Sequence, residues 1–387
     1  MKPFIGLLLL PLLLENILAE EVDEFEEPPE PRSKWKEDYG DYNYAGQLYY
    51  YVAATKVESD QGLVISPLGV SQVLGLLLFA AGPKTALEID DFLYPKNASA
   101  SGLDARPLLQ SGDLTSVTVA ALRPDVYIDP DFLKNAAELD SFVYRTPFAQ
   151  RDIRRFNSFL KLKSHGKFNE DLQELFEDYN PANRLLFFNI LDFRAQFKYG
   201  FEVEKRVLSA KRTLAWHGFI PELRSQVLGL SLKDSSALLL ILLPSQRTKI
   251  EEVERRLPTV DIRKLRSRLN ITLMNIILPR VQCGQLLNLR EPLQKAGIIT
   301  VFIKTAADLD AFKTELPLDD VIVYTEIDIF TRGINAERER SEQLKVDSSD
   351  AFSQEIRPLK FEPLKPFIYA VVDSHHVYLM GRHFPAL

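Results

Sequence analysis

Apolar and polar positions are most sharply patterned at the C-terminal end of the chain. From Phe361 it reads FEPLKPFIYAVVDSHHVYLMGRHFPAL, where apolar runs at residues 367–372 and 377–380 flank a polar turn around Ser374 and His375. Short uninterrupted runs bounded by a turn predict a buried hairpin. Strand-type patterns also cover residues 114–122, 184–191, 226–232, 237–243 and 271–278, while helical spacing covers residues 46–55, 130–142, 152–162 and 289–295. The last of these has Asn288 placed as its cap, Glu291 reaching back and Gly297 as its stop. Ser66 followed by Pro67 predicts another helix start, with apolar residues continuing to Ala81. Runs of strands interspersed with helices give an α+β chain.

Composition narrows the class. With 387 residues and 46% hydrophobic content the chain can bury a large core, and neither repeats nor Gly/Ser linkers divide it. A net charge of -7 argues against nucleic acid or an anionic membrane surface as partner, since both favour a basic face. Residues 1–19 read as a secretory signal peptide: Lys2, an apolar run from Phe4 to Leu14, and Ala19 ahead of an acidic stretch. That run is about half the ~20 residues needed to cross a bilayer, and no later segment is long and apolar enough to span. Residues 20–43 form an acidic, Pro-containing tail too poor in apolar residues to fold. Within it Tyr39 and Tyr42 sit beside carboxylates, the local chemistry of tyrosine sulfation, and such a tail suits docking on a basic protein surface.

Candidate chemistry is sparse. Asn97 and Asn270 begin Asn-X-Ser/Thr sequons, as in a secreted glycoprotein. Cys283 is the single cysteine, so no internal disulfide forms, and its thiol is either buried, the commoner outcome, or available for an intermolecular bond. The five histidines contain no HExxH, and there is no zinc framework, GxSxG elbow or phosphate loop. No enzyme activity, metal or cofactor is expected. The basic residues Arg151, Arg154, Arg155, Lys161 and Lys163 lie on a predicted helix and read as a solvated face.

Several segments, taken in order, resemble the serpin superfamily from about Tyr44 to the end. They are Ser66-Pro67, Phe156-Asn157 with Gly166-Lys167, Asn189 followed by Phe197 (where the family has Trp) and Phe201, the stretch Glu222 to Leu228, Leu278-Pro279-Arg280, the helix ending at Gly297, and the closing hairpin with its Met380-Gly381-Arg382. The resemblance implies one domain at residues 44–387, with three β-sheets, roughly eight to nine helices and an exposed reactive-centre-type loop, hinge included, at residues 331–360. An inhibitory serpin is cleaved in that loop, inserts its first half as a new strand in the main sheet, and carries the acylated protease with it.

The inserted strand must present small or apolar side chains inward. Here the hinge reads Thr331-Arg332-Gly333-Ile334-Asn335-Ala336-Glu337-Arg338-Glu339-Arg340, where the family has a glycine, a threonine and a run of alanines. Alternation buries either Ile334, Ala336, Arg338 and Arg340 or Asn335, Glu337, Glu339 and Ser341, so charge is buried in both registers. Spacing within residues 337–342 also suits a helix.

Sheet opening in the family is governed by a polar cluster whose positions here are Gly69, Asn189 and Val323, next to Ser66; Asn189 alone keeps the polar type. Residues 93–114 leave little room for the family's heparin-carrying helix, so no heparin site is expected there. Counting from Gly333 places the bait bond at Asp347, and counting back from Pro366 places it between Phe352 and Glu355; Lys345 and Arg357 are the basic residues nearby. The reading is a secreted, extracellular monomer that meets a serine protease or another secreted protein. Non-inhibitory binding or decoy action is weighed above protease trapping, with small-ligand carriage third.

Overall fold

The computed structural model describes residues 44–55, 58, 60–93, 114–173, 185–204, 207–313, 316–336 and 357–385. Among these the helices are α1 (Tyr44–Thr55), α2 (Pro67–Leu78), α3 (Pro83–Leu93), α4 (Pro130–Glu138), α5 (Gln150–Lys163), α6 (Ile250–Arg256) and α7 (Arg290–Lys295). The strands are β1 (Leu63–Ile65), β2 (Leu114–Leu122), β3 (Phe142–Arg145), β4 (Leu185–Phe193), β5 (Ala195–Gln196), β6 (Glu202–Glu204), β7 (Val207–Ile220), β8 (Ser225–Ser231), β9 (Leu238–Pro244), β10 (Asn270–Pro279), β11 (Val281–Asn288), β12 (Asp320–Phe330), β13 (Gly333–Ile334), β14 (Leu359–Phe361), β15 (Phe367–Val372) and β16 (Val377–His383).

They build two hydrogen-bonded sheets. One runs β3-β2-β4-β12-β13-β5, with β11 on the other edge of β12; the second runs β1-β16-β15-β9-β8-β7-β10-β14, with β6 on β7. The expected count of three sheets becomes two connected ones because β7 is shared: Val207 to Ser209 pair with β6 and Trp216 to Ile220 with β8. The closing hairpin is internal, β15 lying between β16 and β9 with every residue buried. That explains its unbroken apolar run, since a strand covered on both faces has no polar side to alternate with.

The first sheet has two buried faces. Along β4, Leu185, Phe187, Leu191 and Phe193 face the core shared with the second sheet and α2, whereas Leu186, Phe188 and Ile190 face a core closed by Ile153, Phe156 and Leu160 of α5. The α5 helix is therefore amphipathic by requirement, and its basic residues Arg151, Arg154, Arg155 and Lys161 are exposed on the outer side.

Three local expectations are corrected. The helix read over residues 130–142 stops at Glu138; Asp140 takes φ 52° and the chain enters β3 at Phe142. Asn288 is not the cap of α7 but the last residue of β11, and the cap is supplied from a distant strand: Asp320 Oδ1 accepts the backbone N–H groups of Leu289 (3.0 Å) and Arg290 (2.9 Å). Cys283 is half-buried rather than buried, and desolvation pushes its thiol up to about 11.

Candidate functional site

The site is where β12 ends and the loop begins. Through Thr325, β12 pairs in parallel with β4 along Leu186–Leu191, Val323 standing opposite Asn189. Beyond that the two strands part. The chain turns at Thr331 and Arg332 and returns as β13, which pairs antiparallel with Ile329 and Phe330 on one side and with β5 on the other. The turn is tied down as well: Arg332 O accepts from Phe197 N (2.7 Å) and Thr331 O from Phe201 N (2.9 Å). Gly333 is required here, because a Cβ at its position would collide with the Ala195 carbonyl.

Ile334 is fully buried against Ile327, Ile329 and Phe193, so its side chain faces the core between the two sheets. This fixes the register that the sequence leaves open. If β13 were extended, Ala336, Arg338 and Arg340 would follow Ile334 inward and Asn335, Glu337 and Glu339 would face the α5 side. In the resting structure the extension is blocked at Asn335, which adopts φ 48°. Its N–H donates to Asp328 O (2.9 Å) and its Oδ1 accepts from Asp328 N (2.7 Å). Its Nδ2 reaches Phe193 O (3.0 Å), Glu326 O (3.1 Å) and Asp192 Oδ1 (3.3 Å). One side chain thus bridges β4 and β12 where no ladder joins them.

Asp192 sits beside this bridge near the end of β4, whose other polar residue is Asn189. Its Oδ2 accepts from Arg194 Nε at 2.8 Å and lies 4.0 Å from Lys167 Nζ. Burial first, and then the Glu326 carboxylate, push the Asp192 carboxyl up to about 6, while the Asn335 amide pulls it down. Asp328 is held by Arg280, whose Nε donates at 2.9 Å.

Lower in the same sheet the expected opening cluster is assembled with different partners. Gly69 packs directly on the Asn189 amide, where a Cβ would collide with Oδ1, and Val323 is buried in the apolar core. Asn189 Nδ2 turns instead to Thr118 Oγ1 (2.9 Å), Ser116 Oγ (3.1 Å) and Gln72 Oε1 (3.3 Å). Its Oδ1 is buried with no hydrogen-bond partner among the described residues. Ser66 caps α2 by accepting from Gly69 N and donates to Tyr378 O at 2.7 Å, fastening the helix to β16. Gln72, Ser116 and Thr118 are missed by the sequence reading, although Ser116 and Thr118 are the polar members of one face of β2.

Of the remaining predicted positions, Thr331 and Ala336 are half-buried at the ends of the hinge, and Arg357 is exposed just before β14. Asn270 is the exposed first residue of β10. Phe197, at the family's Trp position, is buried edge-on against Phe201, ring centroids 5.3 Å apart. Glu337, Arg338, Glu339, Arg340, Lys345, Asp347, Phe352, Glu355 and Asn97, the tail, and residues 1–19 lie outside the described residues. Among the described residues no helix is long and apolar enough to cross a membrane, and no group of three or more ligand-type side chains is placed to hold a metal.

Known proteins give this geometry its context. The profile described as Serpin (serine protease inhibitor) matches residues 41–385. The chain is 23% identical over 365 residues to the mouse plasma serine protease inhibitor, covering 86% of this chain and 87% of that protein. Its fold is similar to Serpin48 of the insect Tenebrio molitor, with TM-score 0.72, 18% identity, and 89% and 96% of the two chains covered. It is also similar to human thyroxine-binding globulin complexed with thyroxine, with TM-score 0.72, 17% identity, and 90% and 98% covered. With the family profile spanning the whole folded part and the hinge standing where the main sheet divides, the chain belongs to the serpin family.

Proposed function

We propose that this serpin is secreted and non-inhibitory, acting through its exposed loop as a binding or decoy protein toward an extracellular serine protease or another secreted protein. It acts by binding rather than catalysis. The observation that carries the reading is the inward face of Ile334: continued in the same register, the loop would bring Arg338 level with Leu191 and Thr325 and Arg340 level with Asn189 and Val323, all of them buried. Each unpaired buried ion costs several kcal/mol even after relaxation, about as much as several net strand hydrogen bonds contribute. Insertion would also force Asn335 out of its φ 48° conformation and break its bridge. A protease that cuts the loop at Lys345 or Arg357 is then released, and the chain is a substrate rather than a trap.

The test is a denaturing gel of the purified protein incubated with several serine proteases. Clean cleavage or no reaction is expected. An SDS-stable complex would establish trapping and overturn the reading.

One observation favours a second reading, carriage of a small ligand. A cavity of about 530 Å³ is lined by Trp216, Leu269, Val372, Arg263, Lys264 and Arg266, with Arg266 lying 4.9 Å over the Trp216 ring. Asp373 shares the rim and Asp261 engages Arg263 and Lys264, so the apolar floor with Arg266 over Trp216 suits an aromatic ligand with at most one negative charge, and a serpin-fold neighbour is described in complex with thyroxine. Titration with an anionic naphthalene dye, read by quenching of Trp216, tests it; no saturable quenching would remove it.

A further inference from the structure

At one end of the second sheet an aromatic ring is left bare. Directly opposed residues of antiparallel strands share a face, so the register gives the rows across β9, β8, β7 and β10. One row is Ile241, Leu228, His217 and Asn270; the next one outward is Leu243, Gln226 and Phe219, at a level where β10 has not yet begun. Leu228 and Ile241 are buried, but Phe219 is 53% exposed and its partner Gln226 is exposed beside it. Gly218, just before Phe219, faces the other way, onto Leu269. Asn270 is thus the exposed diagonal neighbour of Phe219 on the same face, and it opens the sequon Asn270-Ile271-Thr272. We propose that Asn270 carries an N-linked glycan whose first N-acetylglucosamine ring lies on Phe219, so that the attached sugar completes the rim of this sheet. The inference rests on the reading of the chain as secreted, because the transfer takes place in the secretory pathway.

Reach and chemistry both fit. Diagonal neighbours across an antiparallel pair lie ~7–8 Å apart, a gap that one sugar ring on the Asn270 amide crosses. In the transfer the amide nitrogen attacks C1 of the N-acetylglucosamine of an oligosaccharyl pyrophosphoryl lipid. The N–C1 bond forms, the C1–O bond to pyrophosphate breaks, the lipid pyrophosphate leaves with the bonding pair, and one amide proton is lost. The ring then offers its C–H face to the face of Phe219, while its hydroxyl and acetamide groups stay in water or meet the Gln226 amide. Size favours this occupant. A stable protein interface buries about 800 Å² on each side, whereas the bare apolar surface of this row centres on one ring.

The test uses the full chain expressed in eukaryotic cells, once with residues 1–19 as they stand and once with a strong secretion signal in their place. Peptide mass spectrometry after enzymatic deglycosylation in heavy-oxygen water should find residue 270 labelled in the exported protein. Stability is then read as a double-mutant cycle, with Phe219→Ala placed in the parent and in the glycan-free Asn270→Gln chain. Phe219→Ala should lower the folded-to-unfolded ratio about fivefold in the glycosylated parent and less than about twofold without the glycan. Any glycan at Asn97 is common to all four proteins and cancels. If Asn270→Gln is not exported, Thr272→Ala removes the sequon while keeping Asn270 and serves in its place. An unmodified Asn270 in the exported chain would overturn the inference. So would a Phe219→Ala cost that is equal with and without the glycan, which would leave the ring to a protein partner. Retention of the chain bearing its own residues 1–19, with export of the other, would count against secretion alone, and the exported chain still decides the site.

Discussion

The strands β4 and β12 meet in two different ways along their length. Below, from Asp320 to Thr325, six residues of β12 pair directly with β4, and Phe187, Val321 and Val323 bury the contact from beneath. Above, the strands are held apart by β13 and joined through Asn335, flanked by Asp192 and Glu326. The lower half is mostly apolar, Asn189 and its hydrogen bonds to β2 excepted, and its strength is spread along the ladder. The upper half concentrates its strength in one amide and exposes it to charge. A sheet built this way has a defined place to open and a defined barrier to opening further. Two parts of that barrier are chemical, the Asn335 bridge and the charged residues that would have to follow it in.

The largest effect expected is from removing the charge that would be inserted. Replacing Glu337, Arg338, Glu339 and Arg340 by alanine leaves small residues on both faces and should make the cleaved loop able to insert, stabilising the nicked protein by several kcal/mol relative to the nicked parent. Denaturant midpoints of the two nicked forms measure it. Equal midpoints would move the obstacle from the hinge charges to the cluster at Gly69, Asn189 and Val323.

Next in size is damage to the lower half. Phe187 is fully buried, so Phe187→Ala should cost about 3–5 kcal/mol by chemical denaturation. Hydrogen exchange of residues 333–336 should nevertheless stay as in the parent, if the Asn335 bridge holds the hinge independently of the ladder. A hinge that loosens in proportion would join the two regions into one cooperative unit.

A smaller effect is the pH response of the upper half. Asp192 has its carboxyl raised to about 6 in the folded chain, so the native state holds the proton more tightly than the unfolded chain does. Its contribution is therefore fully present below about pH 4 and is lost as pH rises through 6, amounting to about 3 kcal/mol at most. The stability of the parent relative to Asp192→Asn should fall between pH 4 and 7. A difference that is constant or rises across that window would contradict the assignment.

What the sequence made legible was local. Ser66-Pro67 announces a helix start because the cap bond to Gly69 N closes within one turn, and the β15–β16 hairpin is legible because both strands are buried on both faces. The α7 cap was misread because its acceptor, Asp320, lies on another strand, and Asn288, correctly spaced for the role, is already committed to β11. The helix after Pro130 was overrun because Leu139 continues its apolar spacing, while the break is a backbone event at Asp140. Long β7, β11 and β12 went unassigned, their patterns interrupted by Lys211-Arg212, Gly284 and Glu326. At the site, Gly333 and the charged run could be read directly, but the register could not, since only the packing of Ile334 selects it. Asn335 and Asp192 carry no signal of their own; their roles exist only once residues 142 and 143 positions apart are brought together.

The central claim is that the loop of this serpin, once cut, stays out of the sheet. The direct measurement is the thermal unfolding midpoint of the parent before and after a single cut between Leu344 and Pro358. The two midpoints are expected to agree within a few degrees, because Arg338 and Arg340 would have to enter a buried core and Asn335 to release both strands. A rise of tens of degrees on cutting would mean that the strand inserts in spite of its charges, and the non-inhibitory account would be wrong.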